Sequence, residues 1–456
     1  MGKDHIIQNL EDVDFSLIHE YIIQQKEENK LIKDELKKQR ELEEEKYKYA
    51  IVDGKEQPVG NFRLEPPGIY IGRGACNPRL GKIKARIYPE DITINIGREA
   101  KIPDPLSGHK WGTIIHDKTV EWLVSWKDYV TNKTKYIWLG AESDFKAKSD
   151  MDKFDLARKL KKKIKEIRRQ NDINLHSDDP VERQIATALY FIDNFALRIG
   201  NEKTSKEDTD TVGITSLRVE HIDLLGSNKI KLDFLGKDSV RYNRALIVDP
   251  QVYQNINEFI KGKAKGEQLF DLINSTDINK YLQSFMKNLT AKVFRTYNAS
   301  NLFQKELKKI STKFANYEES DKINILLDEF NKANAKVAML CNHQKNITKS
   351  SNKQIENLDR MIANARKKLQ AARKAAKKNP ARISKMEDTL KKLKAKKSLK
   401  LELKNISLGT SKINYIDPRI TIAFLKKHDL PIDKIFSKTL QEKFKWASDV
   451  DEKFIF

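Results

Sequence analysis

The stretch from Ile355 to Leu401 constrains the fold most, because its apolar residues recur every three or four positions. That spacing is typical of one apolar face on a helix. Asn379-Pro380 interrupts it, and proline ends or breaks a helix. We therefore predict two helices packed as an antiparallel hairpin. The periodic positions are Ile355, Leu358, Ile362, Ala365, Leu369, Ala372 and Ala376 before the break and Ile383, Met386, Leu390 and Leu393 after it.

Positive charge is concentrated on the same hairpin. The chain has 87 Lys and Arg against 65 Asp and Glu, a net charge of +22. Residues 366–400 alone hold 15 basic and two acidic residues, so they contribute +13. A field of this strength favours a polyanionic partner such as nucleic acid. The alternative, a coiled-coil surface for a protein partner, remains open on the pattern alone.

Several classes of protein find no support in the sequence. No apolar run approaches the roughly 20 residues that span a bilayer, and the N-terminus lacks a signal core, so we expect a soluble intracellular protein. Cys76 and Cys341 are far apart and form no CxxC pattern, which indicates neither a disulfide framework nor a zinc site. Without HExxH, paired-carboxylate or Walker motifs, we expect no metal and no cofactor.

The first 140 residues change from helix to strand. Residues 15–48 have helical spacing of apolar residues, which predicts a long solvated helix or a helical pair. This region is acidic, since residues 1–48 hold nine basic and thirteen acidic residues. Between Pro58 and Gly140, alternating residues predict a β-rich unit with a hairpin turn at 131–133.

The middle of the chain predicts helices around a small sheet. Helices are expected over 153–170, 181–197 and, broadly, 277–340. The second should end near Gly200 as its C-cap, leaving Arg198 in the last turn, where the helix dipole would ordinarily account for an arginine. Strands are expected over 217–222, 230–235 and 240–248, with Lys237 at a hairpin tip.

Tyr415 follows the basic hairpin and raises the question of covalent chemistry. Cleaving a phosphodiester through a covalent intermediate requires a nucleophile, donors to the phosphate oxygens and an acid for the leaving oxygen. Tyrosine, arginine or histidine, and lysine suit those roles. Composition and spacing do not choose among 14 tyrosines and 87 basic residues. Taken by itself, a lysine such as Lys237 at a hairpin tip is most often only exposed to solvent, and a single histidine such as His343 at a helix end is more often structural than catalytic.

A resemblance to a known family indicates which of these residues form the site. The chain resembles eukaryotic-type DNA topoisomerase I, the type IB family with a tyrosine recombinase-like catalytic core, most closely from about Asn61 to Phe456. The matching stretches are Leu64-Glu65-Pro66-Pro67-Gly68, Gly72-Arg73-Gly74, His109-Lys110-Trp111, Ala196-Leu197-Arg198, Gly200-Asn201-Glu202-Lys203, residues 233–238, residues 289–300, residues 340–344 and residues 408–419.

The resemblance implies a role for each site residue. Tyr415 would be the nucleophile that forms a 3′-phosphotyrosyl link, and Lys237 would be the general acid for the 5′-oxygen. Arg198, Arg295 and His343 would surround the scissile phosphate. The residues implied to contact DNA are Arg73, Asn201, Thr211, Asp238, Lys292, Thr410 and Asn414.

The resemblance also implies the architecture and the partners. We expect a multidomain α+β protein that acts on double-stranded DNA as a monomer in the nucleus, without metal or cofactor. Camptothecin-type inhibitors would trap its cleaved complex. The expected parts are a charged helical segment (1–57), a β-rich DNA-binding core unit (58–150), a mainly helical catalytic core with a β-hairpin sheet (151–347), the basic coiled-coil linker (348–404) and a small helical C-terminal domain (405–456).

Two departures from the family pattern affect these expectations. Family members normally have a long charged tail and further core sequence before the part that matches from Asp14 onward, whereas a short segment precedes it here. We therefore expect closure of the clamp around DNA to differ. Ala75-Cys76-Asn77-Pro78 also differs from the usual residues after the Gly-Arg-Gly turn, which is expected to alter contacts downstream of the cut.

Two alternatives use the same residues differently. A site-specific tyrosine recombinase has a similar Arg/Lys/His/Tyr set, but the long basic arm just before Tyr415 disfavours it. A non-enzymatic basic coiled-coil DNA-binding protein would need none of these side chains for chemistry.

Overall fold

The computed structural model describes residues 10–72, 77–200, 210–315, 317, 322–345, 349–374 and 380–456. The chain forms two compact units, residues 1–68 with 84–146 and residues 69–83 with 147–456. Helices and strands occur in both units, so the predicted α+β class is confirmed. In the described ranges, no helix is both long and apolar enough to cross a membrane.

The first unit begins with the predicted helical pair, α1 (Ser16–Leu31) and α2 (Lys33–Glu45), neither of which has a buried residue. A six-stranded sheet follows in the order β1-β2-β8-β7-β5-β6. The predicted hairpin is present as β7 and β8, with a core from Ile92, Ile94, Trp126, Ile137 and Leu139. The strands are β1 (Tyr49–Val52), β2 (Lys55–Gly60), the short pair β3 (Gly68–Ile69) and β4 (Ile83–Lys84), β5 (Ile92–Asn95), β6 (Thr113–Ile115), β7 (Trp122–Lys127) and β8 (Thr134–Leu139).

The helices of the second unit pack around one apolar core. The predicted face of α3 (Asp144–Asn174) is buried at Phe154, Ala157, Leu160, Ile164 and Ile167. Asp179 caps α4 (Pro180–Phe195) by accepting from the Val181 amide. The next helices are α5 (Pro250–Ile260), α6 (Ser275–Phe285), α7 (Ala291–Lys313) and α8 (Lys322–Leu340).

A three-stranded antiparallel sheet, ordered β11-β10-β9, presents the predicted hairpin tip. Its strands are β9 (Ile222–Leu224), β10 (Lys229–Gly236) and β11 (Val240–Ile247). Lys237–Ser239 form a short 3₁₀ turn between β10 and β11. The strand predicted over 217–222 is wrong. Residues 219–221 form a 3₁₀ turn instead, closed where the His221 amide donates to the Arg218 carbonyl.

The predicted antiparallel hairpin is confirmed as α9 (Lys349–Lys374) and α10 (Pro380–Glu402). Ion pairs join Asp359 to Lys397 and Arg373 to Glu387, so the two helices run in opposite directions. Leu358, Ile362 and Leu369 are buried between them. The break falls where predicted, because Pro380 opens α10, a position that proline favours.

The chain then returns to the core of the second unit through α11 (Leu408–Asn414), α12 (Pro418–Lys427) and α13 (Lys438–Lys443). Phe424 of α12 lies 5.9 Å, between ring centroids, from Phe330 of α8, which in turn contacts Phe303 of α7. Ile416 and Ile420 are buried in the same core. The piece that carries Tyr415 is therefore held against α7 and α8 by apolar packing.

The end of α4 differs from the prediction. The helix ends at Phe195, and its left-handed cap is Ala196 rather than the predicted Gly200. Arg198 therefore lies in a segment beyond the last turn of the helix. Its carbonyl accepts a hydrogen bond from the Ile214 amide (2.9 Å), and the Ile199 carbonyl accepts one from the Thr215 amide (2.8 Å). The helix dipole does not explain this arginine. Pairing with residues 213–215 prevails over the cap that a glycine usually supplies.

A contact between two glycines holds that segment in place. A Cβ added to Gly213 would lie 2.4 Å from both Cα and N of Gly200. Side chains cannot be accommodated at such a distance, so the glycines allow the two backbones to approach closely. Gly200 also has φ +87°, in the region that glycine favours.

We expect Gly213→Ala to lower the free energy of unfolding by about 1–3 kcal/mol, because the added methyl must push the Arg198 segment away. Urea unfolding followed by circular dichroism measures this. Gly409→Ala is the matched control, since Gly409 is in helix α11 with no heavy atom within 4 Å of an added Cβ. Its stability should be unchanged or slightly higher. Equal losses in both variants would contradict the role of the glycine contact.

Candidate active site

Tyr415 lies at the C-terminal end of α11, and two hydrogen bonds to α7 fix the backbone around it. The Ser300 hydroxyl donates to the Tyr415 carbonyl and accepts from the Asp417 amide, each at 3.0 Å. Asp417 then caps α12 by accepting from the Arg419 amide at 3.0 Å. One serine thus holds both sides of the turn that carries the tyrosine.

An ion-pair network fixes the same turn from the other side. The Arg419 guanidinium lies 2.8 Å from carboxylate oxygens of both Asp417 and Asp155. Asp417 is fully buried, whereas Asp155 is on α3. Burial raises the pKa of the Asp417 carboxyl despite the adjacent guanidinium. The network attaches the tyrosine-bearing piece to a second helix of the core.

Arg295 is the buried cation of the site. It follows the first turn of α7 and is 4% exposed, and its guanidinium donates to the carbonyls of Ala196 and Cys341. Its Cζ lies 4.9 Å from the centroid of the Tyr415 ring. Five residues separate Arg295 from Ser300 on the same helix, so α7 positions both the cation and the tyrosine backbone.

His343 lies just beyond α8, in a tight turn where its amide donates to the Ala338 carbonyl at 2.8 Å. Its ring is 6% exposed and lies 5.1 Å from the Tyr415 ring, between centroids. Burial, with the nearby charges of Arg295 and Arg198, lowers the pKa of His343 to about 3. The imidazole is therefore neutral near pH 7.

The electrostatics favour ionisation of the tyrosine. Burial by itself raises the pKa of the Tyr415 phenol, but the charges of Arg295 and Arg198 and a hydrogen bond from Arg295 outweigh it, so the pKa is lowered. Burial and the neighbouring Arg295 likewise lower the pKa of Arg198. The charge of Asp238 acts in the opposite direction on Arg198 but does not outweigh these effects. Two arginines held close together favour the binding of an anion.

A cleft of about 120 Å³ collects the remaining catalytic candidates. Its lining includes Arg198, Lys237, Arg295 and His343, together with Asp238 and Thr410. Lys237 is exposed at the β10–β11 tip, and Asp238 beside it has φ +64°. Tyr415 adjoins the cleft through its contacts with His343 and Arg295. The five residues named from sequence thus meet in one region, although 217 positions separate the first from the last.

Five of the seven residues predicted to contact DNA lie within the described residues. Thr410 hydrogen-bonds to the Ser407 hydroxyl at 3.1 Å, and the exposed Asn414 amide donates to the Thr410 carbonyl at 3.2 Å. Lys292 is exposed in the first turn of α7, and Thr211 is half-buried before the Gly213 contact. Arg73 and Asn201 lie outside the described residues. Among the described residues, no group of three or more His, Cys, Asp or Glu forms a possible metal site.

Sequence reasoning missed three residues that organise the site. Ser300 and Ser411 stand inside the stretches 289–300 and 408–419, so the resemblance contained them but assigned them no role. Gly213 belongs to none of the stretches. Hydrogen bonds between residues more than 60 positions apart leave no local periodicity to detect.

Comparison with known proteins identifies the family of the chain. The profile described as eukaryotic DNA topoisomerase I, catalytic core, matches residues 142–376. The DNA binding fragment of the same family matches residues 1–139, and a C-terminal topoisomerase domain matches residues 387–456. The chain belongs to the eukaryotic DNA topoisomerase I family.

Relatives extend this topoisomerase match over the whole chain. DNA topoisomerase 1 of Caenorhabditis elegans is 43% identical over 99% of the chain and 58% of the relative. DNA topoisomerase 1 beta of Arabidopsis thaliana is 42% identical over 100% of the chain and 52% of the relative. DNA topoisomerase 1 of Homo sapiens is 42% identical over 100% of the chain and 62% of the relative. The chain thus spans between about half and two thirds of the length of these topoisomerases.

We expect Arg198→Gln to raise the pKa of the Tyr415 phenol, because a positive charge that stabilises the phenolate is removed. Titration of protein labelled at tyrosine Cζ with ¹³C, followed by NMR, gives the midpoint directly, and Tyr415→Phe identifies the signal. Arg169→Gln, on the exposed side of α3, is the matched control and should leave the midpoint in place. An unchanged midpoint in Arg198→Gln would show that Arg198 does not act on Tyr415.

Proposed function

We propose that this topoisomerase-family chain is a type IB DNA topoisomerase. It relaxes supercoiled duplex DNA by cutting one strand, allowing controlled rotation and resealing the strand. The observation that carries the proposal is the meeting of Tyr415 with Arg295, Arg198 and His343 at one cleft. Such a cluster offers a nucleophile and three hydrogen-bond donors to a single phosphate.

Cleavage begins at the tyrosine. The phenol loses its proton to solvent, and the phenolate oxygen attacks the scissile phosphorus to form a 3′-phosphotyrosyl bond. An ordinary phenol, with a pKa near 10, is about a thousandth ionised at pH 7. The lowered pKa of Tyr415 increases that fraction. The cations that lower it are also the groups that would face the phosphate.

Arginine and histidine side chains stabilise the negative charge that builds on the non-bridging oxygens. Arg295 holds two backbone carbonyls, so its guanidinium is oriented before DNA arrives. A donor fixed in advance does not reorganise during the reaction, which is where such groups contribute most. Arg198 is held by the paired segment at Gly213. His343, neutral and buried, donates one hydrogen bond.

Lys237 completes the exchange as the general acid. When the bond between phosphorus and the 5′-oxygen breaks, its ammonium gives a proton to the departing oxygen. Its position at a hairpin tip lining the cleft suits this role. Religation reverses each step, with the 5′-hydroxyl attacking the phosphotyrosine. Since the ester bond conserves the energy, neither ATP nor a metal ion is used.

The basic hairpin α9–α10 would act between the two chemical steps. Its +13 net charge would attract the duplex beyond the cut and slow its rotation through salt-dependent contacts. Thr211, Asp238, Lys292, Thr410 and Asn414 would contact the DNA near the cut, with Arg73 and Asn201. We propose a monomer that acts in the nucleus.

The sharpest test of the chemistry is Tyr415→Phe. The wild-type protein should relax a supercoiled plasmid of arbitrary sequence in EDTA without ATP. The variant should lose relaxation while keeping its affinity for DNA within about twofold, since the hydroxyl is the group that reacts. Gel electrophoresis and a filter-binding assay give the two readouts.

Tyr297→Phe is the matched control, because Tyr297 also lies on the core but its ring contacts Phe456. That variant should still relax DNA. Relaxation that strictly requires added Mg²⁺ or ATP would overturn the mechanism. Relaxation restricted to plasmids with one particular sequence would favour the recombinase alternative.

We expect a camptothecin-type compound to increase the covalent complex. Asp238 and Asn414, both exposed beside the cleft, would take part in its binding at the cleaved step together with Arg73. Saturating drug should raise the amount of nicked, protein-linked DNA severalfold over untreated enzyme, detected by denaturing electrophoresis. An active enzyme whose level of linked DNA does not change with drug would contradict the assignment of these residues.

A further inference from the structure

Ser411 makes an unusual contact with the active-site histidine. Its hydroxyl oxygen lies 2.7 Å from Nδ1 of His343, and the serine is fully buried. In the described part of the chain, Nε2 of the same ring has no hydrogen-bond partner although it is buried. Nδ1 of the ring is therefore hydrogen-bonded to the protein, whereas Nε2 is available to hydrogen-bond a ligand.

One hydrogen bond joins the Ser411 hydroxyl to Nδ1 of the neutral ring, and either group can be its donor. Either the hydroxyl donates to Nδ1 and the imidazole proton is on Nε2, or Nδ1 donates and the proton is absent from Nε2. In the second arrangement the hydroxyl hydrogen of Ser411, which is fully buried, needs another acceptor within the protein. Leaving it unpaired would be costly. The first arrangement satisfies Ser411 and leaves an N–H donor on Nε2.

We propose that Ser411 is a positioning residue, whose hydroxyl donates to Nδ1 of His343 and keeps the imidazole proton on Nε2, where a phosphate oxygen can accept it. The inference rests on the proposed function only for the identity of that acceptor. The nitrogen that carries the proton in histidine is generally set by the hydrogen bond at the other nitrogen.

The backbone supports the same coupling. The Ser407 amide donates to the His343 carbonyl at 2.9 Å, so α11 is attached to the histidine at two points, Ser407 and Ser411. The Ser411 carbonyl also accepts from the amides of Tyr415 and Ile416, at 2.9 and 3.0 Å. One residue thus connects the orientation of the histidine to the turn that presents the nucleophile.

The tautomer can be measured without DNA and without a variant of the serine. In protein labelled with ¹⁵N-histidine, long-range ¹H–¹⁵N correlation spectra distinguish the two neutral forms, and His343→Gln identifies the His343 signals. We expect wild-type His343 to have its proton on Nε2. A proton on Nδ1 would overturn the proposal whether or not the enzyme relaxes DNA.

Kinetics of Ser411→Ala test the consequence. We expect single-turnover cleavage of a duplex oligonucleotide to slow by about 10- to 100-fold, by analogy with the loss of groups that orient metal-binding histidines. DNA affinity should change less than twofold, and the His343 signals should lose the pure Nε2–H pattern. Ser411→Thr, which restores a hydroxyl, should recover both the spectrum and most of the rate.

Other results decide against the proposal. A Ser411→Ala enzyme with wild-type cleavage would overturn it, as would a slow variant that keeps the wild-type tautomer. If neither serine variant folds, the wild-type tautomer alone decides. A wild-type chain that does not cleave DNA would refute the proposed function, whereas the spectrum would still report on Ser411.

Discussion

The active site depends on the pair of hydrogen bonds that Ser300 makes to the Tyr415 carbonyl and the Asp417 amide. Tyr415 belongs to a piece of chain that follows about 50 residues of basic hairpin, so tertiary contacts must place it against the core. Ser300 attaches it to α7, the helix that also carries Arg295. Because a helix is rigid over one and a half turns, the distance between the cation and the tyrosine is fixed by a single element. Precision in the site comes from this shared support.

Burial and charge act in opposite directions in this site. Removing Tyr415 and Arg198 from water disfavours their charged forms, and the two arginines repel each other. The fold tolerates this cost because carbonyls of Ala196 and Cys341 neutralise part of the field around Arg295. A bound phosphate would remove the remaining repulsion. The candidate site therefore favours an anion beside its two arginines.

Patterns in neighbouring residues predicted the elements whose structure depends mainly on those residues. The buried face of α3 follows from apolar spacing alone, and the strands expected over 230–235 and 240–248 gave the β10–β11 tip with Lys237 on it. The end of α4 could not be obtained this way, because pairing of Arg198 and Ile199 with residues 213–215 overrides the expected cap at Gly200. The strand at 217–222 failed for a different reason, since a local hydrogen bond from the Arg218 amide to the His221 ring closes a turn. The choice of Tyr415 required the resemblance, as no spacing distinguishes it from other tyrosines.

The five candidates come from five separate stretches of sequence, and tertiary contacts hold four of them in place. Arg198 is held by a glycine contact, Arg295 by two carbonyls, His343 by Ser411 and Tyr415 by Ser300. In each case the partner is a backbone group or a serine hydroxyl. Such a partner fixes the position of the residue without placing a negative charge near the arginines. A carboxylate in any of these places would pair with the arginines and raise the pKa of the tyrosine. Within the described residues, none of the contacts named here is to an acidic group, so these contacts do not oppose the lowering of the Tyr415 pKa by the two arginines.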